Sequence, residues 1–215
     1  MYLPAHFEQP DRTIIRQLMK EAPLATLVTT AAGALEANHL PMLLDGGDEP
    51  LLLRCHVARA NPVWRQATGA GEVLAIFQGP DTYISPSWYA SKAEHGKVVP
   101  TWNYVVAHAY GTLAVCDDKE WLRHFLPSLT AAHEARFSNP WKIEDAPGDY
   151  VDQMMGAIVG MEITVTRLVA KWKIGQNQPA ANRQTLLTGL HQSDQPGAQA
   201  LGQVLAAHLG AAAKP

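Results

Sequence analysis

The amino-acid sequence predicts an α+β fold that is mainly β, an antiparallel barrel of six or so strands with peripheral helices. Short β-branched and apolar segments follow one another through glycine turns, which is typical of hairpins. Helical segments interrupt this series rather than alternating with it, so a parallel βαβ sheet is not favoured. Hydrophobic residues make up 47% of the 215 residues, which is enough for a sizeable core.

The first predicted elements are a helix, a hairpin and a third strand. Asp11 is a helix N-cap, and apolar residues follow it at helical spacing until the helix ends near Pro23. The segments 24–30 and 35–43 flank a glycine turn and form the hairpin, and residues 51–56 form the third strand.

Proline after a capping residue marks the helix starts in the middle of the chain. Asn61 and Pro62 begin a short helix that ends at the following glycines, and Ser85 and Pro86 open a turn of helix. Between these two starts, residues 73–78 form another strand.

The second half of the chain combines two long strands with helices. Residues 102–116 form an apolar strand, two aspartates then cap a helix, and the last strand develops within residues 154–177. From residue 182 onward the pattern is helical again. We therefore expect a barrel domain of residues 1–180 and a C-terminal helical extension of residues 181–215.

Composition and charge argue against several classes of protein. The net charge is −3 without a basic stripe, which disfavours extensive contact with nucleic-acid phosphates. No apolar run approaches the roughly 20 residues that span a bilayer. The two cysteines, Cys55 and Cys116, are isolated and indicate reduced thiols in the cytoplasm. Only 17% of the residues are charged, which favours burial of apolar surface against a second copy of the chain.

Common catalytic and metal motifs do not account for the sequence. The nine histidines lack the H-E-x-x-H spacing, so no metal site is predicted, and histidines in strands are interpreted as hydrogen-bonded core residues. Neither a G-x-S-x-G elbow nor a nucleophilic cysteine setting is present, so hydrolase chemistry is not predicted and no catalytic residue is assigned.

The most informative stretch is residues 79–92 together with residues 99–104, where large rings occur among hydroxyl, amide and lysine side chains. This mixture is typical of a pocket for a flat, phosphorylated ligand, because rings supply apolar contact and polar groups fix the orientation. The candidate binding residues here are Ser87, Trp88, Ser91, Lys92, Thr101, Trp102 and Asn103. An interface or core role for Trp88 and a merely solvated Lys92 are the open alternatives.

Strand alternation assigns the side chains of the second part to two faces. Trp102 and Tyr104 are expected on the core side, and Thr101 and Asn103 on the opposite side, facing whatever lies across from the strand. Asparagine is disfavoured inside strands, so Asn103 is expected to make a local hydrogen bond.

A phosphate site is predicted where a strand meets a helix, in residues 56–62. The free N–H groups at the helix N-terminus and the guanidinium of Arg59 suit an anion, with His56 and Asn61 beside them. A solvent-facing turn residue is the alternative interpretation of Arg59.

The tract 171–177 adds polar residues on one face of a strand, next to Gly175, which permits close approach of a ligand. The candidate binding residues of this face are Lys171, Lys173 and Asn177. A lysine-bearing sheet edge that blocks aggregation is the alternative.

Several runs of the chain together resemble one known family. They are residues 1–7, 56–62, 76–80, 83–89, 100–104 with His108, and 171–177. Over residues 1–190 the chain is similar to the PaiB-like FMN-binding negative transcriptional regulators. Gly175 departs from the tract typical of that family, which has a serine at this position.

The resemblance implies an FMN-binding split β-barrel, related to pyridoxamine-phosphate oxidases, that forms a homodimer with FMN at the subunit interface. It implies Arg59 and Lys92 as ligands of the phosphate and the indole of Trp88 or Trp102 against the ring system. It also implies polar contacts to the ring edge or the ribityl chain from Asn103, Gln176 and Asn177.

The expected function is therefore that of an FMN-binding cytoplasmic homodimer that acts as a negative transcriptional regulator, either on DNA directly or through a partner protein. A flavin-dependent oxidoreductase acting on a small molecule is the alternative. A flavin or haem carrier on the same barrel is a third interpretation.

Overall fold

The computed structural model describes residues 1–47, 49–67, 69 and 71–212 of the chain. The strands are β1 Leu24–Ala31, β2 Ala34–Pro41, β3 Leu43–Asp45, β4 Leu52–Ala58, β5 Glu72–Ile84, β6 Thr101–Cys116 and β7 Ile158–Lys173. The helices are α1 Arg12–Glu21, α2 Val63–Gln66, α3 Ser91–His95, α4 Lys119–Glu134, α5 Gly148–Gly156, α6 Ala180–Gln192 and α7 Ala198–Ala212. Short 3₁₀ helices cover Ala5–Phe7, Pro86–Trp88 and Ile143–Asp145.

The seven strands of the described residues belong to one sheet, in the order β2-β1-β5-β6-β7-β4-β3. The pairs β1–β2, β1–β5, β3–β4 and β4–β7 are antiparallel. Because β2 and β3 are the two ends of this order, the sheet is not closed on itself. The predicted α+β class with a mainly antiparallel sheet is confirmed, and the sheet is open.

The first hairpin forms where the sequence predicts it. Ala31 of β1 pairs with Ala34 of β2, so Ala32 and Gly33 make a two-residue turn, with φ of 49° and 83°. Such a turn matches the twist of the flanking strands, and glycine adopts positive φ at little cost.

Capping side chains start the helices that the sequence predicts. Side-chain oxygens of Asp11, Asn61 and Asp118 accept a hydrogen bond from the backbone N–H two residues later, at 2.8, 3.0 and 3.0 Å. Helix α3 and the beginning of α5 are absent from the predicted elements, and neither has a side-chain N-cap hydrogen bond. No helix among the described residues has both the length and the apolar character needed to cross a bilayer.

The chain forms two compact units. Unit 1 contains residues 1–15, residues 78–107 and the chain from residue 169 on, and unit 2 contains residues 16–77 and 108–168. Strands β5, β6 and β7 contribute residues to both units, and helices α6 and α7 belong to unit 1. The boundary predicted at residue 180 stays a prediction, and residues 213–215 of the predicted extension lie outside the described part.

The core of unit 2 contains a close contact between β7 and α4. The rings of Trp121 and Phe125 stack with 4.8 Å between their centroids. A Cβ atom on Gly160 of β7 would lie 2.3 Å from Cζ3 of Trp121 and 2.9 Å from the backbone oxygen of Cys116. Gly160 therefore leaves the space into which the indole packs.

Replacing Gly160 by alanine tests this contact. We expect Gly160→Ala to lower the free energy of unfolding by about 1–3 kcal/mol, because the added methyl group overpacks the core. Chemical denaturation of the purified variant measures the change. Gly156→Ala is the control, since a Cβ there meets no atom within 4 Å; equal stability of the two variants would contradict the contact.

Candidate functional site

A cavity of about 370 Å³ lies within unit 1. Five stretches form its wall: the 3₁₀ helix near the N-terminus, the residue after the 3₁₀ helix Pro86–Trp88, the segment that follows α3, the first residues of β6, and the end of β7 with the turn after it. The lining residues are Phe7, Tyr89, Lys97, Val98, Val99, Thr101, Asn103, Lys173, Gly175, Asn177 and Gln178. The wall thus combines two aromatic rings, two lysines and three carboxamide side chains.

Lys173 is fixed in the cavity wall by hydrogen bonds to the beginning of β6. Its Nζ donates to Oγ1 of Thr101 at 2.5 Å and to the backbone oxygen of Trp102 at 2.7 Å. Burial lowers the pKa of Lys173, since water no longer solvates the ammonium fully. The two acceptors fix its position, and the cavity presents a cation at a defined place.

Asn103 places an unpaired hydrogen-bond donor in the same wall. Its side chain is only 1% exposed, and its Nδ2 is buried without a partner among the described residues. Buried donors in folded proteins are almost always paired, with protein, water or a ligand. This amide is therefore an observation that points to an acceptor brought by a ligand.

The alternation predicted for the start of β6 is wrong in its direction. Asn103 shares its face with the buried residues Val105 and Ala107, whereas Trp102 is 55% exposed and its ring meets Tyr83 edge-on at 6.3 Å between centroids. Period-2 alternation is present, but the polar side chain faces inward because the cavity lies on the core side of the strand.

Gly175 shapes the turn that closes the cavity. Its φ is +89°, a conformation that side-chain-bearing residues rarely adopt, and a Cβ there would lie 2.6 Å from Cδ2 of Leu186. The same Cβ position is 3.5 Å from Nδ2 of Asn103. The predicted extended strand through residue 177 is wrong, because β7 ends at Lys173 and the chain turns at this glycine.

Two of the predicted binding residues use their side chains within the protein. Gln176 accepts from the backbone N–H of Ile174 at 3.0 Å and donates to the backbone oxygen of Trp172 at 2.5 Å, so it stabilises the turn. Ser91 Oγ accepts from Nδ2 of Asn182 at 2.8 Å, which links α3 to α6. Neither side chain lines the cavity.

Three more predicted residues line a separate, shallower hollow of about 350 Å³ in unit 1, namely Ser87, Trp88 and Lys92. Nζ of Lys92 donates to Oγ of Ser87 at 2.9 Å. The indole of Trp88 covers Gly189, where a Cβ would lie 2.6 Å from Cγ of the ring. Tyr89 lines both this hollow and the larger cavity.

Lys171 is buried and does not line the cavity. Its side chain is 7% exposed, and its Nζ donates to the backbone oxygen of Tyr2 at 3.2 Å. The alternative of a charged sheet edge is wrong for this residue, because its side chain is buried and its backbone forms a β-bridge with Glu8.

The predicted phosphate site at residues 56–62 belongs to unit 2. The guanidinium of Arg59 donates to both carboxylate oxygens of Asp117, at 2.9 and 2.6 Å, and to the backbone oxygens of Gly156 and Ile158, at 2.9 and 3.1 Å. This pairing lowers the pKa of Asp117. A phosphate role of Arg59 stays a prediction, and it requires the phosphate to compete with these acceptors.

The neighbours of Arg59 differ in how far their polar atoms are paired. Asn61 accepts from the backbone N–H of Val63 at 3.0 Å and donates to Oδ1 of Asn38 at 2.8 Å. Nδ1 of His56 is buried without a partner among the described residues, and burial lowers the pKa of this imidazole.

The cavity therefore brings together four of the residues that sequence patterns single out: Thr101, Asn103, Lys173 and Asn177. Local sequence patterns did not single out the lining residues Phe7, Tyr89, Lys97, Val98, Val99 and Gln178. Phe7 and Tyr89 reach the wall through contacts between segments distant in sequence, which local patterns do not encode. Residues 97–99 and Gln178 instead lie close to the predicted residues Thr101 and Asn177 along the chain. Within the described part of the chain, no group of three or more His, Cys, Asp or Glu side chains is placed to hold a metal ion.

The chain is similar to one family of proteins and to several of its members. Residues 1–167 match the family model described as "Putative FMN-binding domain". The chain is 30% identical to the protease synthase and sporulation protein PAI 2 of Bacillus subtilis, over 95% of this chain and 96% of that protein. It is 33% identical to the uncharacterized protein AN0679 of Emericella nidulans, over 88% of this chain and 90% of that protein.

Two solved structures illustrate the likeness in fold. The conserved hypothetical protein Rv2991 from Mycobacterium tuberculosis has a TM-score of 0.59 at 15% identity, with 84% of this chain and 96% of that chain covered. The FAD and heme binding protein from Mycobacterium smegmatis has a TM-score of 0.55 at 16% identity, with 85% and 80% covered. At this identity the likeness concerns the fold, and it bears out the split β-barrel that the resemblance implies.

The two half-buried imidazoles of unit 2 predict a pH dependence of stability. Burial lowers the pKa of both His56 and His108 from the ordinary value of 6.5. The unfolded chain therefore takes up protons at a higher pH than the folded chain, so the stability from these groups is complete above 6.5 and is lost as the pH falls below it.

We expect the free energy of unfolding to fall between about pH 7 and pH 5, and the double variant His56→Gln/His108→Gln to show a smaller fall. Urea denaturation at a series of pH values measures both slopes. His39→Gln, at an exposed position, is the control and should keep the slope of the parent. A parent-like slope in the double variant would show that other groups cause the acid sensitivity.

Proposed function

Since the chain belongs to the family described as "Putative FMN-binding domain", whose cofactor is FMN, we propose that it is a homodimeric flavoprotein with a regulatory role in transcription. The observation that carries the proposal is the unpaired amide of Asn103 beside the fixed cation of Lys173, in a cavity with aromatic walls. When bound, FMN supplies electron-transfer chemistry that the side chains lack.

The residues of the cavity fit FMN in chemical character. FMN has a phosphate, a polar ribityl chain and a planar ring system with hydrogen-bond acceptors along one edge. The cavity volume of about 370 Å³ lies in the range of about 300–1,000 Å³ typical of small-molecule sites. Asn103 offers a buried donor, Lys97 and Lys173 offer positive charge, and Phe7 and Tyr89 offer apolar contact.

We assign the roles accordingly. Asn103 donates its free N–H to an acceptor of the flavin, and the ammonium groups of Lys97 and Lys173 balance the anionic charge of the ligand. The roles expected for Arg59 and Lys92 stay predictions. Arg59 already pairs with Asp117, and Lys92 with Ser87, outside the cavity lining.

The proposal of a homodimer is supported by exposed apolar residues in unit 1, one of which lines the cavity. Val99, which lines the cavity, is 74% exposed, and Trp102 and Tyr83 are 55% and 39% exposed while touching each other. Exposed aromatic and aliphatic groups next to a ligand site favour coverage by another protein surface. The low charged fraction of 17% supports a second copy of the chain as that surface.

The regulatory role rests on the resemblance to PaiB-like regulators and on the 30% identity to PAI 2, whose name connects it with protease synthesis and sporulation. The net charge of −3 disfavours broad contact with DNA phosphates. We therefore propose that the protein regulates transcription through a protein partner rather than by binding DNA directly.

An oxidoreductase is the second candidate function. The hollow lined by Ser87, Trp88 and Lys92 shares Tyr89 with the larger cavity, so it offers room for a substrate beside the flavin. Loss of the flavin absorption band on addition of a nicotinamide donor, followed by turnover with an acceptor, is the expected signature. A flavin that stays oxidised with every donor would remove this candidate.

Replacing Asn103 by leucine separates ligand binding from stability. We expect Asn103→Leu to weaken FMN binding by about 1–3 kcal/mol while leaving the flavin-free protein equally stable or more stable, because an unpaired buried donor is removed. Titration of FMN fluorescence measures the affinity, and chemical denaturation of the flavin-free protein measures the stability.

Asn182→Leu is the matched control, since Asn182 is equally buried but fully paired with Ser91. This variant should lose about 1–3 kcal/mol of stability even without FMN, because it leaves the buried partner groups of Ser91 unpaired. Unchanged FMN affinity in Asn103→Leu would contradict the binding of FMN in this cavity.

The oligomeric state and the route to DNA are tested on the pure flavin-loaded protein. We expect light scattering to give the mass of a dimer, and an electrophoretic mobility assay with promoter DNA to show no shift unless cell extract supplies a partner. A shift by the pure protein that weakens steeply with salt would contradict the indirect route, because it reports direct phosphate contacts. A monomer at micromolar concentration would contradict the dimer.

A further inference from the structure

Lys171 is surrounded by aromatic rings and by the N-terminal end of the chain. Its Nζ lies 5.7 Å from the ring centroid of Tyr2, 5.8 Å from that of Phe7 and 5.3 Å from that of Tyr104. It also donates to the backbone oxygen of Tyr2 at 3.2 Å. Ring faces within about 6 Å attract a cation, most strongly where water is excluded.

Residues 1–9, which we call the N-terminal strap, are attached to β7 at the same place. Glu8 forms a β-bridge with Lys171, and the backbone N–H of Gln9 donates to the oxygen of Ala170 at 3.1 Å. The 3₁₀ helix Ala5–Phe7 gives the strap a defined shape. Phe7, the last residue of this 3₁₀ helix, is buried and lines the cavity, so the strap supplies part of the cavity wall.

The burial of Lys171 and the position of the strap depend on each other. A buried ammonium is costly unless other groups replace its water. Within the described residues no carboxylate forms an ion pair with Lys171; its surroundings are the oxygen and ring of Tyr2 and the rings of Phe7 and Tyr104. Three of these four groups belong to the strap, so without the strap the ammonium would keep only the ring of Tyr104 among these contacts.

Lys171 and Lys173 thus differ in role although they share one face of β7. Lys173 lines the cavity and contacts the start of β6, whereas Lys171 does not line the cavity. We propose that Lys171 is a positioning residue for the flavin site: it fastens the N-terminal strap and thereby holds Phe7 against the space that FMN occupies. This inference rests on the proposed function, since it assigns FMN to this cavity.

The test is a double-mutant cycle on FMN affinity in the full-length protein. We expect Lys171→Met to weaken FMN binding about tenfold, because the strap loses its cation and Phe7 loses its fixed position, and Lys171→Arg to retain most of the affinity. In a Phe7→Ala background, Lys171→Met should add less than about a twofold loss, because the effect passes through Phe7. If the two losses multiply, Lys171 acts on FMN binding independently of Phe7 and the proposal is overturned.

A second experiment measures the hydrogen exchange of the strap in the absence of flavin. Hydrogen exchange of the flavin-free protein should be faster at the amides of Phe7, Glu8 and Gln9 in Lys171→Met than in the parent, and unchanged in the core of β6. Lys173→Met is the matched control and should leave exchange in the strap unchanged. Unchanged exchange of the strap in Lys171→Met would overturn the anchoring role. Failure of the parent protein to bind FMN would overturn the proposed function instead, and the exchange comparison would still decide whether Lys171 fastens the strap.

Discussion

The burial of polar side chains at the start of β6 and the end of β7 is the constraint on which the candidate site depends. Asn103 and Lys171 are buried and Lys173 is half-buried on adjacent strands, and the two lysines have their polar atoms engaged by nearby backbone or hydroxyl groups. Asn103 is the exception, and an unpaired buried donor costs about 1–3 kcal/mol. A folded protein tolerates an unpaired buried donor where a bound ligand accepts its hydrogen bond. The same amide therefore destabilises the flavin-free protein and supplies the hydrogen bond that we propose for FMN.

The guanidinium of Arg59 shows the opposite use of a polar group. It donates to Asp117, just after β6, and to the backbone oxygens of Gly156 and Ile158, just before β7 and at its first residue. The guanidinium therefore connects the turn after β4 to both of these segments. Its charge is balanced within unit 2, whereas the hydrogen-bond acceptors of Lys173 among the described residues are neutral. An anionic ligand gains more from a cation without a counter-ion than from one that must first release a carboxylate. This difference is why we assign the anion-balancing role to the lysines of the cavity.

Local signals in the sequence predicted the fold well, and long-range contacts explain most of the errors. The hairpin at Ala32 and Gly33 and the caps at Asp11 and Asp118 depend on neighbouring residues only. Alternation at the start of β6 identified two faces correctly, but the choice of inner face depends on what packs against the strand, and it was assigned wrongly. Phe7 was missed as a wall residue because its place is set by β7, more than 160 residues away along the chain.

The C-terminal segment is a structural part of the candidate site and not only an appendage. The family match ends at residue 167, yet Lys173, Gly175 and Asn177 in the cavity wall lie beyond it. Helix α6 supports these residues, since Leu186 packs against Gly175 and Asn182 ties α3 to the same helix. The likeness to PAI 2 extends over 95% of this chain, so that relative has a counterpart of most of this segment. Residues beyond the matched family model therefore complete the wall that the matched residues begin.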